Sequence, residues 1–240
     1  MSNKNPFGFL AKLEFLQTIA SSFIAKINPA VIHNVEKYYA LKKVHYLSSI
    51  EELEGDYIEF GVFTGSSFCH SLKCYRNVFD SFKKYDMKFF GFDSFEGFGN
   101  IDEGDLHPFY TDQNFKTDYD KVNKRIAKAA KNIEYSLIKG YFNESLKDGP
   151  ASMGITKARI IFVDSDTYSS SKDALDFVKG VCQLGTYVIL DDYYSYRGSS
   201  KKGVYKAFSE FLNTEPFKAR HVINYGMGGA VFVLSEKDSN

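Results

Sequence analysis

After residue 53 the chain alternates short apolar runs with longer helical stretches, and this alternation constrains the fold more than any other feature. The apolar runs are rich in β-branched and aromatic residues and span residues 57–60, 89–92, 134–138, 159–163 and 187–190. The stretches between them place helix-forming residues at apolar spacing over residues 66–84, 118–131, 169–184 and 201–212. Short strands that alternate with such helices predict the α/β class, a parallel sheet with crossover helices.

The last two apolar runs, 219–224 and 230–234, are joined differently, by the glycine-rich segment 225–229. This connection is too short for a helix and is typical of a hairpin, so we expect the sheet to end antiparallel. A chain of 240 residues is within the size range of one such domain. We expect residues 1–53 to form a helical segment that serves as a lid or an oligomer contact, and residues 54–240 to form the α/β domain.

Charge and cysteine content exclude several classes of protein. The 30 basic side chains cancel the 30 acidic ones, which argues against nucleic-acid binding and favours a small-molecule partner. The three cysteines, Cys69, Cys74 and Cys182, lack the spacing of a zinc site. We interpret them as reduced core residues, which predicts a cytoplasmic location.

The N-terminal stretch 7–27 is apolar, but Lys12, Glu14 and Gln17 interrupt it, so it reads neither as a membrane span nor as a signal peptide. Its apolar residues recur at helical spacing and form one stripe: Phe9, Leu13, Leu16, Ala20, Phe23 and Ile27. The stripe predicts a helix that packs on the body or on a second subunit of a homo-oligomer. A helix on a membrane surface is the alternative.

The first candidate site is the turn after the first predicted strand. Glu59 lies at the end of the strand, Gly61 and Gly65 lie in the turn, and Ser66 and Ser67 open the next helix. Glycines permit a tight turn and close approach of a ligand, and a helix start offers unpaired N–H donors. The segment lacks both the dinucleotide fingerprint and a phosphate-binding loop, which disfavours nicotinamide and ATP. A ligand cradle and a plain strand-to-helix turn both remain open.

The ends of the next two strands add to this cradle. Asp93 ends the second strand, where doubly wound folds use a carboxylate to accept hydrogen bonds from ribose hydroxyls. A turn or helix-capping acid is the alternative for Asp93. After the third strand, Tyr141 or Phe142 could stack against an adenine, although aromatic residues there also fit a core role.

The second candidate site is a group of four aspartates. Asp164 and Asp166 follow one buried strand, and Asp191 and Asp192 follow the next. Two unit charges about 4 Å apart repel by roughly 4 kcal/mol at an effective dielectric near 20, so the group must retain protons or bind a cation. A set of oxygen ligands without His or Cys favours a hard ion, Mg²⁺ first and then Mn²⁺ or Ca²⁺.

Four segments together resemble the macrocin O-methyltransferase (TylF/MycF-type) family of S-adenosylmethionine-dependent methyltransferases: residues 58–65, 91–97, 163–169 and 188–193. The resemblance implies a Rossmann-like class I methyltransferase fold, with a seven-stranded sheet that ends in an antiparallel strand. It also implies Mg²⁺-dependent transfer of a methyl group from S-adenosylmethionine to a sugar hydroxyl.

Carried over residue by residue, the resemblance assigns a role to each motif. Glu59, Gly61 and Gly65 match the cofactor motif, and Asp93 with Ser94 matches the ribose side. Asp191 and Asp192 match metal ligands, joined by Asp164 or Asp166, while the other of these two acts as the base. The sequence departs from the family at Ser165, at residues 194–196 and in the loop 99–116.

These residues suggest a mechanism in which a cation bound by Asp164, Asp191 and Asp192 acidifies the acceptor hydroxyl, and Asp166 accepts its proton. The roles of Asp164 and Asp166 are interchangeable here, so both are candidate metal ligands, and Asp164 also borders the cofactor. His107 is an alternative base. Three tyrosines after the fifth strand could line an acceptor pocket: Tyr193, Tyr194 and Tyr196. The alternative functions are a metal-dependent glycosyltransferase with a DxD motif and a binding module without turnover.

Overall fold

A seven-stranded sheet forms the centre of the structure, a computed structural model that describes residues 13–110 and 115–237. The strands are β1 (Asp56–Phe60), β2 (Phe89–Asp93), β3 (Tyr135–Lys139), β4 (Ala158–Val163), β5 (Tyr187–Leu190), β6 (Phe217–Tyr225) and β7 (Gly229–Glu236). Their order across the sheet is β3-β2-β1-β4-β5-β7-β6. The pairs among β1 to β5 are parallel, and β7 runs antiparallel to both of its neighbours. The predicted fold class and the antiparallel end of the sheet are confirmed.

Helices cover both faces of this sheet. They are α1 (Glu14–Ile24), α2 (Pro29–Ile50), α3 (Ser66–Arg76), α4 (Tyr119–Ala130), α5 (Phe142–Ser145), α6 (Tyr168–Val178) and α7 (Gly203–Thr214), with a further short helical turn at Ser195–Gly198. Every predicted crossover helix is present, but α3 and α6 end eight and six residues before the predicted ends at 84 and 184. Short 3₁₀ turns, Asp80–Phe82 and Lys179–Val181, follow these two helices instead.

The alternation of side chains along each strand explains the two layers of core. In β4, Ile161 and Val163 pack on the face covered by α6 and α7, whereas Ile160 and Phe162 pack on the other face, under α2 and α3. Every residue of β4 and β5 is buried. Full burial of one such side chain stabilises the fold by about 1.5–3 kcal/mol relative to exposure, so a central strand with two apolar faces fixes its own place in the sheet.

The N-terminal helices differ in how they contact the body. Asn28 caps α2 by accepting a hydrogen bond from the Ala30 N–H at 2.9 Å, Pro29 occupies the first turn, and α2 then packs against α3. α1 meets α2 at an angle of 97° and has no buried residue, so its stripe does not pack on the body. Phe9 of the predicted stripe lies outside the described residues.

Within the described residues, no single helix is both long and apolar enough to cross a bilayer. Only α1 and α2 together, a pair bent by 97°, have the necessary length and apolar composition.

Candidate active site

A cavity of about 710 Å³ opens at the carboxyl ends of the parallel strands. Its wall includes one residue from just beyond or at the end of each of β1 to β5: Gly61, Asp93, Gly140, Asp164 and Asp191. In open α/β sheets, ligands bind at this edge, where loops leave the sheet in opposite directions. The size is that of a pocket for a small molecule.

The turn from β1 to α3 has the backbone geometry that its glycines predict. Gly61 and Gly65 have φ of +92° and +74°, a region that favours glycine. A Cβ atom on Gly61 would lie 1.8 Å from the carbonyl oxygen of Asp164, so β1 and β4 can approach here only without a side chain. No side chain caps α3, and Ser66 and Ser67 of its first turn line the cavity. The free N–H groups of this turn are therefore available to a ligand.

Glu59 lies beneath this turn and is fully buried. Its two carboxylate oxygens accept hydrogen bonds from the hydroxyls of Tyr57 at 2.5 Å and Ser67 at 2.6 Å. Burial raises the pKa of Glu59 to about 7, although these hydrogen bonds oppose the shift. Glu59 is not among the described residues that line the cavity, and it acts on the cavity wall through Ser67.

Asp93 and Ser94 line the cavity beside this turn. The Asp93 carboxylate accepts backbone N–H groups from Phe63 at 2.7 Å and Phe95 at 2.6 Å, which fixes its orientation. Burial raises the pKa of Asp93, and these hydrogen bonds work in the opposite direction. Ser94 instead stabilises its own turn, because its hydroxyl donates to the Gly97 carbonyl at 2.7 Å.

Both aromatic candidates after β3 are also in the cavity wall. Tyr141 precedes α5 and is 38% exposed, and Phe142 begins α5. Phe142 also packs edge-on against Phe60 of the core, at 5.6 Å between ring centroids. Of the two, Tyr141 presents the more accessible ring to a ligand.

The structure brings three of the four aspartates into one cluster. Asp164, Asp166 and Asp192 each offer one carboxylate oxygen, and these oxygens all lie within 4.8 Å of one another. The strand ends at Val163, and Asp166 has a left-handed φ of 62°, so a turn rather than strand alternation brings Asp166 to Asp164. Burial, followed by the charge of neighbouring aspartates, raises the pKa of both Asp164 and Asp166 well above the usual range. Like charges in so small a volume retain protons unless a cation neutralises them.

Asp191 has different neighbours, which come from distant parts of the chain. Its Oδ2 lies 2.9 Å from Lys37 Nζ and 3.1 Å from His33 Nε2, and its Oδ1 accepts the Tyr225 hydroxyl at 2.7 Å. Lys37 also lies 3.0 Å from Asp164 Oδ2.

Asp191 and Lys37 shift each other's pKa. Burial disfavours charge on both residues, but Lys37 and His33 together outweigh it and lower the pKa of Asp191, and Asp164 and Asp191 together raise the pKa of Lys37. Asp191 is therefore charged and fully engaged with side chains of this chain.

The loop after β2 contributes Phe98, Phe109 and Tyr110 to the cavity wall. Asp105 is buried, and its carboxylate accepts the backbone N–H groups of Tyr168 at 2.8 Å and Ser169 at 3.1 Å, at the start of α6. Further along, the Tyr110 hydroxyl donates to Asp192 Oδ1 at 2.9 Å and contacts Ser195 at 2.7 Å. Tyr110 thereby links this loop to the aspartate cluster.

The structure gives the other suggested residues different surroundings. Tyr196 is buried and donates to the Asp105 carbonyl at 2.8 Å, Tyr193 packs on Phe232, and Tyr194 is largely exposed. None of these three tyrosines is among the described residues that line the cavity. His107 also lies outside that wall, and its ring stacks on Tyr110 at 4.2 Å between centroids.

Four residues of the site were not found from the sequence: His33, Lys37, Tyr110 and Tyr225. The only local signal was the spacing of His33 and Lys37, which are one helical turn apart and so share a face of α2. Their partner Asp191 is 158 residues from His33, and only the tertiary fold brings the two together.

Comparison with solved structures supports the fold. The O-methyltransferase NovP is 18% identical, with a TM-score of 0.67, over 84% of this chain and 81% of NovP. CalS11, described as a calicheamicin methyltransferase, is 16% identical, with a TM-score of 0.66, over 97% of this chain and 94% of CalS11. An O-methyltransferase from Bacillus cereus in complex with SAH is 14% identical, with a TM-score of 0.53, over 93% and 89% of the two chains. A search of the curated proteins found no match.

Comparison of the sequence with known protein families assigns the chain to one of them. Residues 36–221 match the family described as macrocin-O-methyltransferase (TylF), and this match includes both the glycine turn and all four aspartates. It also disfavours the glycosyltransferase alternative, because the two aspartate pairs are part of a methyltransferase sequence. The match covers well over half of the chain, and the chain therefore belongs to the macrocin-O-methyltransferase (TylF) family and is an O-methyltransferase.

Proposed function

We propose that this protein transfers a methyl group from S-adenosylmethionine to a hydroxyl of a sugar or of a sugar-containing small molecule, with the help of a hard divalent cation, Mg²⁺ first. The observation that carries the proposal is the arrangement of one cavity. Its wall contains an uncapped helix start and Asp93, together with a cluster of partly buried aspartates. Such a cavity offers separate sites for an adenosyl donor and for a hydroxyl acceptor.

The residues of the cofactor side fit S-adenosylmethionine. The first turn of α3 offers N–H donors that suit a carboxylate group, and Asp93 offers an acceptor that suits ribose hydroxyls. Tyr141 or Phe142 offers an aromatic face that suits an adenine. When bound, the cofactor would supply the methyl group from its sulfonium. Solved O-methyltransferases of this fold include one in complex with SAH, which supports the assignment.

The aspartate cluster fits a hard cation. Asp164, Asp166 and Asp192 supply only oxygen ligands, and their mutual repulsion is relieved by positive charge. We assign the cation to Asp164 and Asp192, with Asp191, whose oxygens also contact Lys37, His33 and Tyr225, as a further ligand. When bound, the cation would orient the acceptor and lower the pKa of its hydroxyl.

In the proposed reaction, the acceptor oxygen bonds to the methyl carbon as the carbon–sulfur bond breaks, and the hydroxyl proton passes to a carboxylate. We assign the proton acceptor to Asp166, whose carboxylate lies beside those of Asp164 and Asp192. The cavity contributes by alignment, which can supply several kcal/mol of the barrier.

A sugar acceptor fits the remaining wall of the cavity. Phe63, Phe98, Phe109 and Phe115 line it with aromatic rings that can pack on the apolar face of a sugar ring or on an attached apolar group. CalS11 is also described as a TDP-rhamnose 3'-O-methyltransferase, which supports a sugar as the class of acceptor. A homo-oligomer, a cytoplasmic location and the division at residues 53 and 54 remain predictions.

Thermal unfolding with added ligands tests this proposal. We expect S-adenosylhomocysteine and Mg²⁺ each to raise the melting temperature, because a ligand at 100 times its Kd stabilises the native state by about 2.7 kcal/mol. Asp192→Asn should abolish the effect of Mg²⁺ and preserve that of S-adenosylhomocysteine. Asp120→Asn, at an exposed position of α4, removes the same charge and should change neither. Stabilisation by a nucleoside diphosphate alone, without an effect of S-adenosylhomocysteine, would contradict the proposal.

A further inference from the structure

Tyr110 connects the loop after β2 to the aspartate cluster. Its hydroxyl donates to Asp192 Oδ1 at 2.9 Å and lies 2.7 Å from the hydroxyl of Ser195, which donates to the same carboxylate oxygen at 3.2 Å. Tyr110 is only 5% exposed, so its hydroxyl has little access to water as an alternative partner. One oxygen of Asp192 is therefore held by two hydroxyls from different segments of the chain.

The ring of Tyr110 belongs to the aromatic wall of the cavity. Its centroid lies 6.2 Å from that of Phe98 and 5.9 Å from that of Phe109, and all three residues line the cavity. The ring of His107 stacks on Tyr110 at 4.2 Å between centroids. Tyr110 thus contacts both the wall that the proposed function assigns to the acceptor and Asp192, which it assigns to the cation.

Asp192 requires such a contact because its neighbours repel it. One oxygen from each of Asp164, Asp166 and Asp192 lies within 4.8 Å of the others, and like charges at this separation oppose one another. Without a donor to hold it, the Asp192 carboxylate would rotate away, and a cation would have to bring it back. A carboxylate accepts several hydrogen bonds, so a hydroxyl at Oδ1 still leaves lone pairs for a cation.

We propose that Tyr110 is a positioning residue that holds Asp192 in place for the cation and thereby couples cation binding to the aromatic wall of the acceptor site. The proposal rests on the metal site of the proposed function. Loss of a hydrogen bond that orients a metal ligand typically weakens metal binding by about 10- to 100-fold. Coupling is reciprocal, so a bound cation should stabilise the contact of Tyr110 with Asp192 by the same factor.

Calorimetric titration of Mn²⁺ into the full chain, without cofactor or acceptor, tests the effect on the cation. Tyr110→Phe retains the ring and removes only the hydroxyl, and we expect it to bind Mn²⁺ at least tenfold more weakly than the wild type. A smaller loss, or tighter binding, would overturn the proposal.

Tyr196→Phe is the matched control for this titration. Tyr196 is also buried, and its hydroxyl anchors the same loop, but it donates to the backbone carbonyl of Asp105 at 2.8 Å rather than to a carboxylate. Its affinity for Mn²⁺ should stay within threefold of the wild type. A loss equal to that of Tyr110→Phe would overturn the proposal, because anchoring of the loop would then explain both effects.

Limited proteolysis tests the effect on the loop, and its wild-type arm does not depend on the folding of a variant. Leu106 and Phe109 are 61% and 66% exposed and are side chains at which chymotrypsin cleaves. We expect saturating Mn²⁺ to slow this cleavage by about tenfold in the wild type and to have no effect in Tyr110→Phe. If Mn²⁺ does not protect the wild type, or protects Tyr110→Phe equally well, the coupling is refuted.

The wild-type titration separates this inference from the proposed function. If the wild type binds no Mn²⁺, the metal dependence of the proposed function fails, and the role of Tyr110 fails with it. If the wild type binds Mn²⁺ and Tyr110→Phe binds it equally well, only the role of Tyr110 fails.

Discussion

The pKa of Glu59 leads to a quantitative prediction about stability. Glu59 is fully buried, and burial raises its pKa from the ordinary value of 4.5 to about 7. An acid with a raised pKa in the native state contributes stability at low pH, and this contribution is lost as the pH rises from the unfolded value to the folded value. At about 1.4 kcal/mol per pKa unit, the loss between pH 5 and pH 8 is roughly 2 to 3 kcal/mol.

Glu59→Gln tests this magnitude because the amide is uncharged at every pH and has nearly the same shape as the protonated acid. The amide can still accept a hydrogen bond from Tyr57 or Ser67, so the packing of the turn should remain. We expect the difference in unfolding free energy between Glu59→Gln and the wild type to shift in favour of the variant by that amount between pH 5 and pH 8.

Urea unfolding of both proteins at a series of pH values gives the comparison. Other titrating groups contribute to both proteins and cancel in the difference between them. Glu236→Gln, which makes the same substitution at an exposed position at the end of β7, is the control. A difference for Glu59→Gln that is constant with pH would refute the reasoning, because it would mean that burial does not perturb this carboxyl group.

Three further variants test other parts of the structure by urea unfolding or proteolysis. The ring nitrogens of His45 are buried without a hydrogen-bond partner in the described structure, and burial lowers the pKa of this side chain to about 3. The wild type should therefore lose about 3 kcal/mol of unfolding free energy between pH 6.5 and pH 4 that His45→Phe retains. Gly61→Ala should lower the free energy of unfolding by more than about 2 kcal/mol, because Gly61 has a positive φ and its added methyl group would overlap a backbone carbonyl. Gly104→Ala should lower it far less, because its added methyl group meets no atom within 4 Å. Asp105→Ala should lower the free energy of unfolding by about 1–3 kcal/mol and make the loop after β2 more sensitive to protease, because two backbone N–H groups of α6 lose their acceptor. Equal protease sensitivity of the wild type and the variant would contradict this anchoring role.

The sheet was predictable because each strand carries its own signal. Both faces of β4 and β5 are buried, so each appears in the sequence as an uninterrupted apolar run, and these strands were predicted to within one residue. The end of α3 was not predictable in the same way. Apolar residues continue after Arg76, but the chain turns there into a 3₁₀ segment without a glycine or proline to mark the change.

The residues of the functional site were predictable only where they come at or just after the end of a strand. Asp93, Asp164 and Asp192 come at or just after strand ends, so the register of a parallel sheet brings them to one edge. Lys37 and Tyr110 lie on a helix and in a loop, and nothing near them in the sequence marks their partners. Their roles depend on long-range packing, which local patterns do not encode.

The contact of α2 with the aspartates has a practical consequence for engineering this enzyme. Deletion of everything before residue 54 would preserve every strand, yet it would remove the ammonium ion and the imidazole that accompany Asp191. The shortened polypeptide would contain an unpaired carboxylate in its interior, which costs about 3–5 kcal/mol. A minimal catalytic unit must therefore begin before His33, and chimaeras with related enzymes should exchange α2 together with the segment around Asp191.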